Sequence, residues 1–391
     1  MSRIADPISV FLETQHVGLA ERLAAHGQDW LAPILDPARP IEDRAREVGA
    51  RLAAEGLFAL AVPAIYGGSH LEADVRGVCL VREALARIHL TADFVFGTQV
   101  KSSYFIAQSA KEPLKSEILG EVVDGRRFGA FAAVEPGAGS DLSAIATSAS
   151  RTSQAYFLDG VKSWVAMAGV ADFFVIFART EGEDSRRSLS AFYVPRDSEG
   201  LTVRPGPALT ASLPVGELHL HRCRVPRAYR LGDEGSGWDL LQQTLTHFRP
   251  SAGASAIGLA GRALDEAVAH LRERRQFGRP LADLQALRFR IAEMSAELAA
   301  ARALVYQAAW AIDRDGASPT APLLPGQAKL FAVATARRIV DRAADLVGSA
   351  SLVAGHPLER LSRQIRLLDA YLGTAEIQKT MIAREILGRR S

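Results

Sequence analysis

At 391 residues, 48% hydrophobic and 23% charged, the chain is long enough for two or three domains and has a globular composition. A formal net charge of +2 argues against a nucleic-acid-binding surface. Two isolated cysteines, Cys79 and Cys223, exclude a disulfide framework or a cysteine-rich metal site; no apolar run reaches membrane-spanning length and no signal-peptide pattern opens the chain, so a cytoplasmic protein is expected.

From residue 1 to about 127 the pattern predicts helices. The stretch 41–60 is amphipathic, with Val48, Leu52 and Leu57 among charges and Gly56 near its end. Pro63 and the pair Gly67-Gly68 then force a loop, and helices are expected over 73–89 and 92–109. His89, near a helix end, is most simply a C-terminal cap contact.

Between about 128 and 235 the period changes to that of strands. Residues 128–134, 156–158, 172–178, 189–194 and 216–225 are short, β-rich and bounded by Gly, Pro or Asp. The first strand breaks into Glu135-Pro136-Gly137-Ala138-Gly139-Ser140-Asp141, a loop whose glycines let the backbone approach a ligand and leave N–H groups free. Taken alone, such a loop is more often a turn than a site. Asp159-Gly160 reads as a hairpin-type turn that places Trp164 on the next strand. His219 and His221 alternate with Leu218 and Leu220 and share a strand face; with no third ligand at suitable spacing, a solvated face is expected and no metal site.

The segment 232–237 is a loop, and helix dominates from Trp238 onward. Leu284, Leu287, Ile291, Met294, Leu298, Ala301 and Val305 recur at spacings of three and four, the seam of a helix in a bundle. Pro319, Pro322 and Pro325 mark the connection to a helix over 327–347.

Residues 133–141, Ala-Val-Glu-Pro-Gly-Ala-Gly-Ser-Asp, resemble the TEPxAGSD signature of the acyl-CoA dehydrogenase family, and 160–166, Gly-Val-Lys-Ser-Trp-Val-Ala, resemble its GxKxWIT strand. The resemblance covers essentially the whole chain. It implies an α+β fold: an N-terminal α-helical domain (1–127), a central small β-barrel or sandwich domain (128–235) and a C-terminal four-helix bundle (236–391). The family's P-x-x-x-G-G loop agrees with Pro63, Tyr66, Gly67 and Gly68. By the same resemblance Val134, Glu135, Gly139, Ser140, Trp164 and Ala166 lie at FAD, with Ser140 also near substrate.

Two further stretches extend the resemblance. Residues 272–281, Arg-Glu-Arg-Arg-Gln-Phe-Gly-Arg-Pro-Leu, followed by Gln285, resemble ERxxFGxPLxxxQ. On its own an arginine cluster at a helix end is solvated and favoured by the helix dipole. The family reading pairs Arg274 with the flavin pyrophosphate of a neighbouring subunit, seated by Phe277 and Gln285; the guanidinium fork suits phosphate. That implies an oligomer, a homodimer or homotetramer or else a hetero-oligomer. Residues 371–378, Tyr-Leu-Gly-Thr-Ala-Glu-Ile-Gln, resemble YEGTxxIQ, which implies Gly373, Thr374 and Glu376 at the dinucleotide end.

The departures from the family pattern are specific. The residue before that Gly is, in most of the family, the Glu that takes the substrate α-proton; here it is Leu372, which has no lone pair to do so. The position used by a minority branch is Phe248, before Arg249, and is likewise empty. Phe248, Arg249 and Leu372 are expected at the substrate, with Asp369 and His247 as substitute bases. Val134 and Ala166 replace threonines that would hydrogen-bond the isoalloxazine. The QxxGG segment appears as 345–349 (Asp-Leu-Val-Gly-Ser), placing Asp345 and Gly348 near the flavin, with the Asp345 charge unfavourable beside a pyrophosphate unless Arg274 or a proton offsets it.

The expected function is an FAD-dependent oxidoreductase acting on an acyl thioester, carried by CoA or by an acyl or peptidyl carrier protein. It would deliver electrons to an acceptor flavoprotein or to O2. The alternatives are a non-catalytic partner subunit of a hetero-oligomeric dehydrogenase, or a flavin-dependent monooxygenase on the same fold.

Overall fold

A computed structural model describes residues 8–26, 30, 31, 34–180, 188–316 and 323–388. The chain begins with helices α1 (Thr14–Ala25), α2 (Ile41–Ala54), α3 (Val75–Ile88), α4 (Leu90–Ser109) and α5 (Glu112–Val123). Strands follow: β1 (Gly129–Ala132), β2 (Ser148–Arg151), β3 (Ala155–Ala166), β4 (Phe173–Arg179), β5 (Leu189–Pro195), β6 (Leu201–Pro205), β7 (Val215–Pro226) and β8 (Arg230–Leu231). Helices then return as α6 (Gly237–Glu273), α7 (Gln285–Asp315), α8 (Leu323–Val347), α9 (Pro357–Ala370) and α10 (Ala375–Leu387). The order is helical, then β, then helical. Among the described residues no helix is long and apolar enough to cross a membrane.

The chain divides into two compact units, one of Met1–Trp30, Val75–Asp93 and Thr246–Ser391, the other of Leu31–Asp74 and Phe94–Leu245. In the second, the strands form one sheet in the order β6-β7-β3-β2-β4-β5-β8, with β1 parallel to β4. Strand β4 is buried on both faces. Phe173, Val175 and Phe177 pack with Phe105, Ile118 and Leu119 of α4 and α5, while Phe174, Ile176 and Ala178 pack with Tyr156, Leu218 and Val225. Period-two alternation therefore feeds two cores, which is why β4 reads as an unbroken apolar run.

Two local expectations are corrected here. The amphipathic stretch 41–60 is not one helix: α2 ends at Ala54, Gly56 turns left-handed at φ +70°, and Leu57–Ala61 continues as a 3-10 turn. Glycine takes that conformation without a Cβ clash, so the apolar periodicity outlasts the helix. Asp159-Gly160 is not a hairpin turn either. Both lie inside β3, where the register against β7 shifts between Leu158 and Gly160. Gly160 sits at φ +153° with Thr147 where a Cβ would be, and Asp159 Oδ1 accepts from Arg222 N at 2.8 Å. The dipeptide makes a bulge, not a reversal. His219 and His221 do share the outer face of β7, His219 at 3.0 Å from Glu217 and His221 at 3.7 Å from Asp159.

The first unit is helical. Arg82 on α3 donates to Asp93 at 2.7 and 2.9 Å and to Ser251 on α6 at 3.1 Å, with all three residues buried. His89 N donates to Leu85 O at 2.7 Å at the end of α3. Its Nδ1 accepts from Thr91 N at 3.2 Å, in the first turn of α4. On α7 the seam residues Met294, Ala301 and Val305 are buried, while Leu284, Leu287, Ile291 and Leu298 are half-buried. Helix α8 starts at Leu323, so Pro325 lies within it; Pro319 and Pro322 fall outside the described residues.

Candidate functional site

In the β-rich unit, the glycine-rich loop is anchored by Glu135. Its carboxylate accepts from Ala146 N at 2.7 Å, Thr147 N at 3.0 Å and Lys162 Nζ at 2.7 Å. Burial pushes the Glu135 carboxyl up, but Lys162, Thr147 and the Ala146 N–H outweigh it and hold it below the usual carboxylate range. Burial brings the Lys162 ammonium down to about 8 against the pull of Glu135. With its oxygens bonded to Ala146 N, Thr147 N and Lys162 Nζ, Glu135 shapes the loop. Lys162, which sequence reasoning quoted without assigning it a role, completes that anchor.

The loop and the second motif meet through the backbone. Ser163 N donates to Val134 O at 2.9 Å. Between Lys162 and Val165 the register against β7 shifts again, and Trp164 sits in that irregularity at φ +55° with 58% of its surface exposed. A left-handed, non-glycine residue is held there by its surroundings, and such positions concentrate at functional sites. Phe277 and Leu372 share this conformation. Gly137, Gly139 and Ser140 are exposed, and among the described residues their N–H groups meet no acceptor. Ser163 Oγ is buried and likewise without a partner among them. Val134 is half-buried and Ala166 buried.

In the helical unit, Arg274 follows α6 and opens a two-stranded ribbon of Arg275–Gln276 and Arg279–Pro280. Arg274 and Gln285 are exposed, and Phe277, at the tip, is 88% exposed at φ +52°. Asp345 is exposed and lies 3.3 Å from Arg290. Gly348 follows directly on α8. Thr374 caps α10, its Oγ1 accepting from Ile377 N at 3.4 Å, and Glu376 is exposed in the first turn.

Leu372 is buried at φ +55°, and its carbonyl accepts from Gln378 Nε2 at 3.3 Å. Asp369 is half-buried, with its carboxylate 3.3 Å from Arg337. His247 is enclosed, and burial drives its imidazole down to about 3, so it is neutral and a poor proton acceptor near neutrality. Phe248 and Arg249 are both 2% exposed. Buried Lys329, which sequence reasoning missed because a lone helical lysine carries no signal, donates from Nζ to Asp369 O at 3.2 Å and to Gly373 O.

Three family models match the chain: the acyl-CoA dehydrogenase N-terminal domain over residues 14–126, the middle domain over 130–223 and the C-terminal domain over 235–387. The probable acyl-CoA dehydrogenase fadE25 of Mycobacterium leprae is 30% identical over 381 residues, 96% of either chain. Benzylmalonyl-CoA dehydrogenase of Aromatoleum aromaticum is 34% identical over 384 residues, 96% of this chain and 98% of that protein. The FAD complex of PigA superposes with a TM-score of 0.86 at 25% identity, covering 96% of this chain and 98% of that one.

Proposed function

The chain belongs to the acyl-CoA dehydrogenase family, and from that premise we propose that it oxidises the acyl group of a thioester carried by CoA or by a carrier protein. It is a flavin oxidoreductase of the CH–CH class with FAD as its cofactor. The observation that carries the reading is the link from Ser163 N to Val134 O, which sets an exposed indole beside a loop of unpaired N–H donors.

The residues present fit such a cofactor. Trp164 offers a flat face, Gly139 and Ser140 offer donors to an anion, and the orphaned Ser163 hydroxyl offers a further contact. FAD, when bound, supplies the acceptor for the hydride leaving the acyl β-carbon. Arg274 and Phe277, both exposed, suit the pyrophosphate of a neighbouring subunit, with Gln285 and Gly348 beside the same flavin, while Gly373 and Thr374 suit the dinucleotide end; this reading requires a homodimer, a homotetramer or a hetero-oligomer. An acceptor flavoprotein or O2 takes the electrons. Leu372 occupies the place of the usual proton acceptor, and of the two substitutes Asp369 remains, since burial lowers His247 and makes it a poor proton acceptor.

Leu372, buried and apolar, also favours a second reading, a partner subunit that supports a neighbour's site without catalysing. One preparation separates the two. Expressed alone, the enzyme is a yellow homo-oligomer with one FAD per chain, and anaerobic addition of its acyl thioester bleaches the flavin. A colourless product favours the partner subunit, and a yellow protein that no thioester bleaches rules out the desaturase reading.

A further inference from the structure

The turn that links α9 to α10 runs left-handed twice in succession, at Leu372 (φ +55°) and Gly373 (φ +92°). Glycine accepts that backbone freely, whereas the Cβ of leucine crowds a carbonyl there, so the conformation persists only where neighbours impose it. Two buried side chains do so. Gln378 of α10 donates from Nε2 to Leu372 O and to Gly373 O, both at 3.3 Å. Lys329 of α8 donates from Nζ to Asp369 O at 3.2 Å and to Gly373 O.

The two donors are not equivalent. Gln378 lies just past the turn and moves with it, while Lys329 stands 40 and 44 residues from the carbonyls it binds, on a separate helix. Asp369 lies in the last turn of α9, where carbonyls lack helical N–H partners, and Gly373 lies beyond Leu372. Lys329 therefore grips the chain on both sides of that leucine. About two turns further along α8, Arg337 holds the Asp369 carboxylate at 3.3 Å. Burial brings the Lys329 ammonium down to about 8; Asp369 and Glu376 act the other way, and Arg249 adds to the burial. Enclosing an ammonium is unfavourable, and the carbonyls that accept from it offset part of that cost.

We propose that Lys329 is a positioning residue for the oxidation. It fastens the stretch from Asp369 to Gly373 to α8, and with it both Leu372, at the place of the usual proton acceptor, and Asp369, the substitute. The proposal rests on the acyl-thioester reading above and deepens it by naming what sets the turn. Without the clasp the strained leucine relaxes. Proton transfer then suffers more than substrate binding, because transfer depends on placement to within about 1 Å while binding is spread over the whole thioester.

Hydrogen–deuterium exchange on the FAD-loaded protein tests the clasp, and anaerobic stopped-flow bleaching tests its consequence, with Lys329→Met and Lys329→Arg set against the wild type. In Lys329→Met the amides of residues 371–374 should exchange about 10- to 100-fold faster, the effect of losing hydrogen bonds from a charged donor, with those in the middle of α7 unchanged. The saturating rate of bleaching should fall about 10- to 100-fold while the half-saturating thioester concentration changes by less than about threefold. Lys329→Arg should recover part of both losses. Unchanged exchange at 371–374 in folded Lys329→Met overturns the proposal. So does faster exchange shared equally by α7, or a half-saturating concentration that shifts while the saturating rate does not. A yellow wild type that no thioester bleaches overturns the oxidation reading and the positioning role together. Should Lys329→Met not fold, exchange in the wild type decides: protection at 371–374 equal to that of α8 supports the clasp, and exchange as fast as in the exposed residues 275–279 overturns it.

Discussion

Lys162 Nζ lies 2.7 Å from Glu135 Oε1, with the lysine fully enclosed and the glutamate 7% exposed. The pair ties the start of the glycine-rich loop to the strand that carries Trp164. Removing one partner leaves the other charge buried, at a cost of about 3–5 kcal/mol. Glu135→Gln and Lys162→Met should each lower stability by roughly that amount, and the double variant by less than their sum. Urea unfolding of the four proteins measures the coupling. Because the Glu135 carboxyl is held low, its contribution is present above the usual carboxylate range and is lost as pH falls through it.

Trp164→Ala should separate cofactor binding from folding. The side chain is largely exposed, so the melting temperature should move by only a degree or two. Loss of a stacking surface worth ~0.5–1.5 kcal/mol should weaken FAD binding about 2- to 10-fold. Fluorescence titration of the apoprotein reads that change, and unaltered affinity would remove Trp164 from the cofactor site.

His247 gives the helical unit an acid-labile point. Its folded value of about 3 lies below the 6.5 of a free imidazole, so the unfolded chain binds the extra proton between those limits. Stability is therefore full above about 6.5 and falls as pH drops toward 3, by about 2 kcal/mol at pH 5. Whatever His247→Gln does to stability at pH 7, it should flatten this slope. A variant with the wild-type slope would show that other groups govern the acid limb.

Leu372→Glu tests the position of the proton acceptor. If Leu372 stands where a base would act, the substitution should raise thioester oxidation by about 10²–10⁴-fold. Anaerobic stopped-flow bleaching of the flavin measures it. No gain, in a protein that still binds FAD, would place the reacting carbon away from Leu372.

Much of this was legible in the sequence because local pattern and tertiary structure agree. The strand at 172–178 was readable from its apolar run, and the loop at 135–141 from its glycines. The Asp159-Gly160 turn and the long helix at 41–60 misled for one reason: a short signal compatible with two geometries was settled by distant contacts. Thr147 and Arg222 make the first a bulge, and Gly56 stops the second. Arg249 shows a different limit. Nothing in Phe248-Arg249-Pro250 says that the guanidinium will be enclosed and held by a threonine, because solvation is a property of what folds around it. The gathering of Val75–Asp93 with the C-terminal helices was invisible for the same reason.

That gathering orders events at the ribosome. The β-rich unit is complete once Leu245 has emerged, whereas α3, with Val78, Leu80 and Leu85, must wait for helices encoded after Thr246. At ~5–20 residues per second the delay is on the order of ten seconds, during which the apolar face of α3 and its Arg82 stand open to water. Nascent chains halted just short of Thr246 should therefore recruit holdase chaperones, and chains released at full length should shed them.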